Sequence, residues 1–161
     1  MPRKISPNLW FDTEAEEAAD FYTSVFENSR IVTRTHYPEG GPGPVGTVMT
    51  VEFELDGQRF VGINGGTQFQ FSEAVSFEIS CDTQEDVDYF WERLSEGGEE
   101  GQCGWLKDKY GLSWQVVPTG MDDVFSDPDP KRSERAMQAM LGMTKLDIAA
   151  LREAADGAPA T

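Results

Sequence analysis

AVSFEISCDTQEDVDYFWERLSEGG, residues 74–98, carries two hydrophobic periods in succession. Val75, Phe77, Ile79 and Cys81 alternate with Ser76, Glu78 and Ser80, which is the period of a half-buried strand. Val87, Phe90, Trp91 and Leu94 then recur at three- and four-residue spacing, one face of a helix. Asp82-Thr83 between them supplies a helix start, and Gly97-Gly98 supplies a stop.

The same order stands 70 residues earlier, in ISPNLWFDTEAEEAADFY at residues 5–22. Ile5 falls on Val75, Leu9 on Ile79, and Asp12-Thr13 on Asp82-Thr83. The spacing predicts a strand from Ile5 to Phe11, with Ile5, Leu9 and Phe11 facing one way. A helix follows, opened by Asp12-Thr13 and favoured at its start by Glu14, Glu16 and Glu17. Its apolar face is Ala18, Phe21, Tyr22, Val25 and Phe26, and Asn28-Ser29 ends it.

Arg30 to Tyr37 reads as a strand, with Ile31, Val32 and Thr35 as its β-formers. PEGGPGPVG, residues 38–46, is a loop by composition, either a flap over a site or a plain connection. Thr47–Leu55 alternates, Asp56-Gly57 is a two-residue hairpin signal, and Gln58–Asn64 returns. Module one is therefore β-α-β-β-β over residues 4–65. Residues 66–73 form a linker, and module two spans 74–118. Its last strands read as Gln102–Leu106 and Leu112–Val117. Gly57 before Phe60-Val61 matches Gly111 before Trp114-Gln115 at an offset of 54, so module two is 16 residues shorter there. One of its strands should be lost or very short. Beyond Pro118, Met121–Pro130 reads as loop, followed by helices over Lys131–Met143 and Lys145–Ala155. These form a two-helix C-terminal extension over 119–156, with frayed residues from Gly157 onward.

Composition narrows the function classes. Thirteen Lys plus Arg against 29 Asp plus Glu give a net charge of −16. Such a surface repels phosphate backbones, so no nucleic-acid partner is expected. No apolar run suits a membrane span and the N-terminus lacks a signal-peptide core, so a cytoplasmic protein is expected. Two cysteines are too few for a disulfide framework. The acidity fits either salt adaptation or ordinary drift in charge. A single histidine, His36, rules out any site with two imidazole ligands.

The tandem modules, with the segments LWFDTEAEEAADFY, VEFELDGQRF, NGG, CGWLKDKYGLSWQVVP and SDPDP, resemble the PhnB-like branch of the vicinal-oxygen-chelate superfamily. That branch is often labelled 3-demethylubiquinone-9 3-methyltransferase-like, and the superfamily includes glyoxalase I and bleomycin-resistance proteins. The resemblance covers residues 4–152. It implies an α+β fold of incomplete barrels, the glyoxalase/bleomycin-resistance fold, in one glyoxalase-like domain with a small-molecule cavity. Metal-using members place His or Glu on four strands. The matching positions here are Asn8, Gly62 or Asn64, Ser76, and Gln115 in the pattern Asp108-x-x-Gly111-x-x-x-Gln115. All are neutral and bind transition metals poorly, so neither metal nor cofactor is expected. No Gly-rich loop follows a first strand as a doubly wound methyltransferase requires, so no S-adenosylmethionine site is expected.

Strand parity gives the candidate site. Leu9, Phe11, Val51, Phe53, Phe77, Ile79, Trp114 and Val116 should face the helices. The opposite faces then carry Ser6, Asn8, Trp10, Thr50, Glu52, Glu54, Ser76, Glu78, Ser80, Ser113 and Gln115. Glu78 and Gln115 are the catalytic candidates. Asn8, Trp10, Glu52, Asn64 and Ser76 are the substrate-binding candidates. If partly buried, Glu52 and Glu78 would have raised pKa values suited to a general base; otherwise they belong to a solvated sheet face. Trp10 could stack on a flat substrate or fill a dimer contact. Cys81 should be inert, Cys103 is a weak nucleophile candidate, and His36 should be an exposed strand end. Asn64-Gly65-Gly66 either binds an anion or lets the linker turn. Two function classes stay open: a metal-free enzyme on a small organic molecule, and a non-catalytic binder that sequesters one. A homodimer through the Met- and Leu-rich C-terminal helices is the expected assembly.

Overall fold

The structure is a computed structural model, and it describes residues 4–157. The fraying expected of 158–161 lies outside the described residues. The chain forms two compact units that divide between Phe71 and Ser72, so residues 66–71 of the linker belong to the first.

The first unit contains β1 (Asn8–Phe11), α1 (Ala15–Val25), β2 (Arg30–His36), β3 (Val48–Leu55) and β4 (Gln58–Asn64). Its sheet order is β1-β4-β3-β2, with β1 parallel to β4 and the other pairs antiparallel. Ala15, Ala18, Ala19, Tyr22 and Val25 of α1 are buried together with Val51, Phe53 and Phe60 of the sheet. Phe53 stacks on Phe60 at 5.5 Å between ring centres and on Tyr22 at 6.2 Å. The small residues permit close approach: a Cβ on Gly62 would stand 3.2 Å from that of Ala15. At the hairpin Asp56 and Gly57 have φ of 48° and 74°, the positive pair a primed turn requires.

Two expectations need correction in this unit. Ile5 is 84% exposed and β1 begins only at Asn8. Pro7 lacks an N–H for a ladder, and it contributes only its carbonyl, to Val61 N. Asp12-Thr13 does not cap α1. Glu14 holds the N-cap position without a side-chain bond, and the free Ala15 N–H is taken by Asn64 Oδ1 at 2.8 Å. The Gly/Pro loop is a connection folded over the buried Tyr37 ring. A Cβ on Gly43 would come within 2.4 Å of that ring, and Tyr37 bonds the loop's end through Thr47 O and Gly46 N.

The second unit repeats the topology. It contains β5 (Ser76–Cys81), α2 (Gln84–Ser95), β6 (Glu99–Glu100), β7 (Trp105–Lys107) and β8 (Ser113–Pro118), in sheet order β5-β8-β7-β6. β5 and β8 are the parallel pair. The strand expected to be lost or very short is β6, two residues long. Thr83 caps α2 by accepting from Asp86 N at 3.1 Å. Val87, Trp91 and Leu94 are buried with Cys81, Leu106, Trp114 and Val116. The β7–β8 turn is built around Asp108, which is 2% exposed. Its carboxylate accepts from Tyr110 N at 2.8 Å, Leu112 N at 3.1 Å and Trp114 Nε1 at 2.9 Å.

The C-terminal extension has three helices, not two: α3 (Met121–Phe125), α4 (Pro130–Leu141) and α5 (Ile148–Asp156). The stretch read as loop contains α3, where Asp122 and Asp123 occupy the positive first turn. Val124, Ala136 and Ala155 form its small core with Phe125 and Ile148. Cys103 N and Gly104 N donate to Met143 O and Thr144 O at 2.9 and 2.8 Å, and so tie it to the sheet. The Gln84 amide bridges Leu146 O and Ile148 N at 2.9 and 3.1 Å. Much of the apolar face expected at a dimer contact, including Leu146 and Leu151, is therefore buried within the chain, whereas Met137 and Leu141 stay exposed. Among the described residues no helix is long and apolar enough to cross a membrane.

Candidate functional site

In the first unit the polar groups satisfy one another. Trp10 Nε1 donates to Gly66 O at 2.9 Å, and its ring meets Phe69 edge-on at 4.9 Å. A Cβ on Gly65 would stand 2.1 Å from the indole, so glycine is required where the linker crosses that ring. Asn64 spends both amide atoms: Oδ1 on Ala15 N, and Nδ2 on Val48 O at 3.0 Å. Its backbone carbonyl accepts from Tyr37 OH. Asn8 is exposed and donates to Ser6 O at 3.1 Å. Glu52 meets Arg59 Nε at 2.5 Å. The guanidinium's hydrogen bond holds that carboxyl below its usual range, against a smaller upward push from burial. The general-base premise for Glu52 is thus reversed, because Arg59 reaches across from the neighbouring strand. Glu54 is likewise paired, with Arg30 at 3.0 Å.

The second unit's sheet is different. Register places Ser76 beside Ser113, Glu78 beside Gln115, Trp105 beside Gln115, and Lys107 beside Ser113. All six side chains therefore share one face, opposite the buried Leu106, Trp114 and Val116. Gln115 Nε2 donates to Ser76 Oγ at 2.9 Å, while no described residue pairs with Gln115 Oε1. Ser113 is 1% exposed, and its Oγ has no hydrogen-bond partner among the described residues. Trp105 is half-buried, and among the described residues nothing pairs with its indole N–H or ring. Lys107 is held by Glu73. That contact lowers the Glu73 pKa and raises the lysine's. Glu78 is exposed, so the partial burial set as a condition for it is not met.

Of the candidates, Ser76, Glu78 and Gln115 are brought together here. Asn8, Trp10, Glu52 and Asn64 lie in the first unit. Ser113 and Trp105 were not selected from sequence as site residues. Parity puts Ser113 on this face, and alternation from Leu106 puts Trp105 there as well. Elsewhere, burial pushes the Cys81 thiol up to about 11, aided by Asp86 and Asp82, which keeps it protonated and inert as expected. Cys103 is half-buried with Sγ 3.5 Å from Met140 O, and His36 is exposed at its strand end.

The superfamily's metal does not fit these residues. Two of the four matching positions, Ser76 and Gln115, bond each other, and Asn64 is spent on helix α1 and β3. Among the described residues no three His, Cys, Asp or Glu side chains gather where an ion could sit.

Residues 3–117 match the family model for 3-demethylubiquinone-9 3-methyltransferase. A PhnB protein from Bacillus cereus is 39% identical, with a TM-score of 0.67 over 73% of this chain and 100% of that one. A protein from Pseudomonas aeruginosa shares the fold at 16% identity and a TM-score of 0.61, over 73% of this chain and 98% of that one. The fosfomycin-resistance protein FosX from Listeria monocytogenes does so at 12% identity and 0.51, over 76% and 98%. No curated protein matches the chain. The glyoxalase/bleomycin-resistance fold, its repeated β-α-β-β-β topology and the match over residues 3–117 agree: the chain belongs to the 3-demethylubiquinone-9 3-methyltransferase family of PhnB-like proteins.

Proposed function

We propose that the protein binds a small organic molecule on the polar face of its second sheet, using Ser76, Ser113 and Gln115, without a transition metal. The observation that carries this reading is the Ser113 hydroxyl, buried and unpartnered among the described residues. A buried hydroxyl without a partner costs free energy, and a ligand that bonds it recovers that cost. Binding is the primary role because the face's buried groups are neutral; Glu78, its exposed carboxylate, is the one candidate proton acceptor if turnover occurs. Asn8, Trp10, Glu52 and Asn64 support the first unit's structure in this reading. The methyltransferase in the family name is not adopted, since each sheet has four strands with a single parallel pair. Both cysteines are free, which fits a cytoplasmic protein.

The test is a thermal-shift screen over metabolites, followed by mass spectrometry of each stabilising compound. A compound that stabilises and is recovered unaltered supports the binder. Conversion establishes an enzyme, and Glu78→Gln then decides whether that carboxylate moves the proton. Assembly as a homodimer through the exposed Met137 and Leu141 is part of the same proposal. Light scattering should give twice the chain mass of 17.9 kDa.

A further inference from the structure

The geometry points to a planar heteroaromatic ligand, carrying an N–H donor at its ring edge, that stacks on Trp105 and donates to Gln115 Oε1. This rests on the binding reading above and names the class of molecule that face would take.

Trp105 stands directly opposite Gln115 in the antiparallel β7–β8 pair. Side chains of directly opposed residues lie within about 5.5 Å at Cβ, so one small ligand reaches both. The other buried tryptophans of this unit are engaged through their indole nitrogens, Trp91 with Glu100 at 3.0 Å and Trp114 with Asp108 at 2.9 Å. Trp105 alone of these three has neither a ring contact nor an indole hydrogen bond among the described residues. A half-buried indole with no aromatic, cation or hydrogen-bond partner among the described residues can take a stacked ring, and its N–H is a spare donor.

The polar groups beside it set the edge chemistry. One N–H of Gln115 Nε2 goes to Ser76, and Oε1 remains as an acceptor. Ser113 Oγ can donate or accept and has no partner among the described residues. A flat ring with an N–H beside a carbonyl satisfies both: the N–H reaches Gln115 Oε1 and the carbonyl accepts from Ser113. Lys107 is already paired with Glu73, and the ring is not required to carry an anion.

The test uses carbostyril, a planar bicyclic lactam, with its N-methyl derivative and its ring-saturated counterpart. Binding to the full chain is followed by NMR of the tryptophan indole and glutamine amide signals. The Trp105 signal is assigned with Trp105→Phe. Carbostyril is expected to shift the Trp105 indole and Gln115 amide signals. The N-methyl and saturated compounds should each bind at least about tenfold more weakly, the loss of one good contact. Trp105→Leu should weaken carbostyril about tenfold, while Trp105→Phe retains most of the affinity. Equal binding of all three compounds overturns the ligand class. If a compound from the metabolite screen shifts Gln115 but not Trp105, the class fails while the binding reading stands. If neither carbostyril nor any screened compound perturbs this face, both fail.

Discussion

The two modules share one topology and use their polar residues in opposite ways. In the first, Asn64, Trp10 and Glu52 all bond within the unit, and its sheet face is closed chemistry. In the second, the structural burden falls on Asp108 and Thr83, on the turn and the helix start, and on the sheet face Ser113 Oγ, Gln115 Oε1 and the Trp105 indole have no partner among the described residues. The two modules thus share a topology while distributing their polar groups differently. The turns show the division most plainly. Asp56-Gly57 combines positive φ with bonds to the segment after α1, Asp56 N to Ser29 Oγ and Gly57 N to Asn28 O, each at 3.2 Å, whereas the second turn is built around a buried carboxylate with three donors.

The largest expected effect follows from that difference. Asp108→Ala removes the acceptor for three donors and should cost about 3 kcal/mol or more in urea unfolding. Gly57→Ala in the first turn should cost about 1 kcal/mol, the penalty of a side chain at positive φ. Equal costs would break the comparison. Helix starts give the next effect. Asn64→Ala frees a helix N–H and a strand carbonyl and should cost about 2 kcal/mol. Thr83→Ala, a simple cap, should cost about 1 kcal/mol.

Titration gives smaller effects. Cys81 favours its neutral thiol in the folded state, so its contribution is complete below the unfolded value near 9 and is lost as pH rises toward about 11. Native protein should therefore release one equivalent with a thiol reagent near neutral pH, from Cys103, and a second only on unfolding. The Glu52 carboxyl is lowered by Arg59, so its small contribution is present above the ordinary carboxylate range and fades as pH falls below it. Arg59→Ala should flatten that part of the acid limb, read as a change in slope of stability against pH.

The architecture was legible because hydrophobic period and turn chemistry are local. Gln58–Asn64 was bounded correctly, and the 16-residue shortening announced the two-residue β6. What failed was non-local or marginal. The cap of α1 comes from Asn64, 49 residues away from Ala15, which no local signal reports. Glu52 looked like a base because Arg59 reaches it only after β3 and β4 pair. α3 is one short turn and a half, too brief to show a period. Parity and family position both single out Ser76 and Gln115, and the structure pairs the two with each other. Ser113 was placed on the right face but passed over, because its significance lies in burial without a partner. Sequence shows a serine's face but not its missing partner.

The most direct test of the account is the stability of Ser113→Ala without ligand. If the hydroxyl is held in reserve for a bound molecule, removing it relieves an unpaired buried group, and the variant should be more stable than the parent by about 1 kcal/mol in urea unfolding. The same variant should lose the thermal stabilisation conferred by any compound that binds the parent at this face. A variant destabilised by a similar amount would show that the hydroxyl already serves the fold, and would contradict the assignment of the second sheet's polar face as the site.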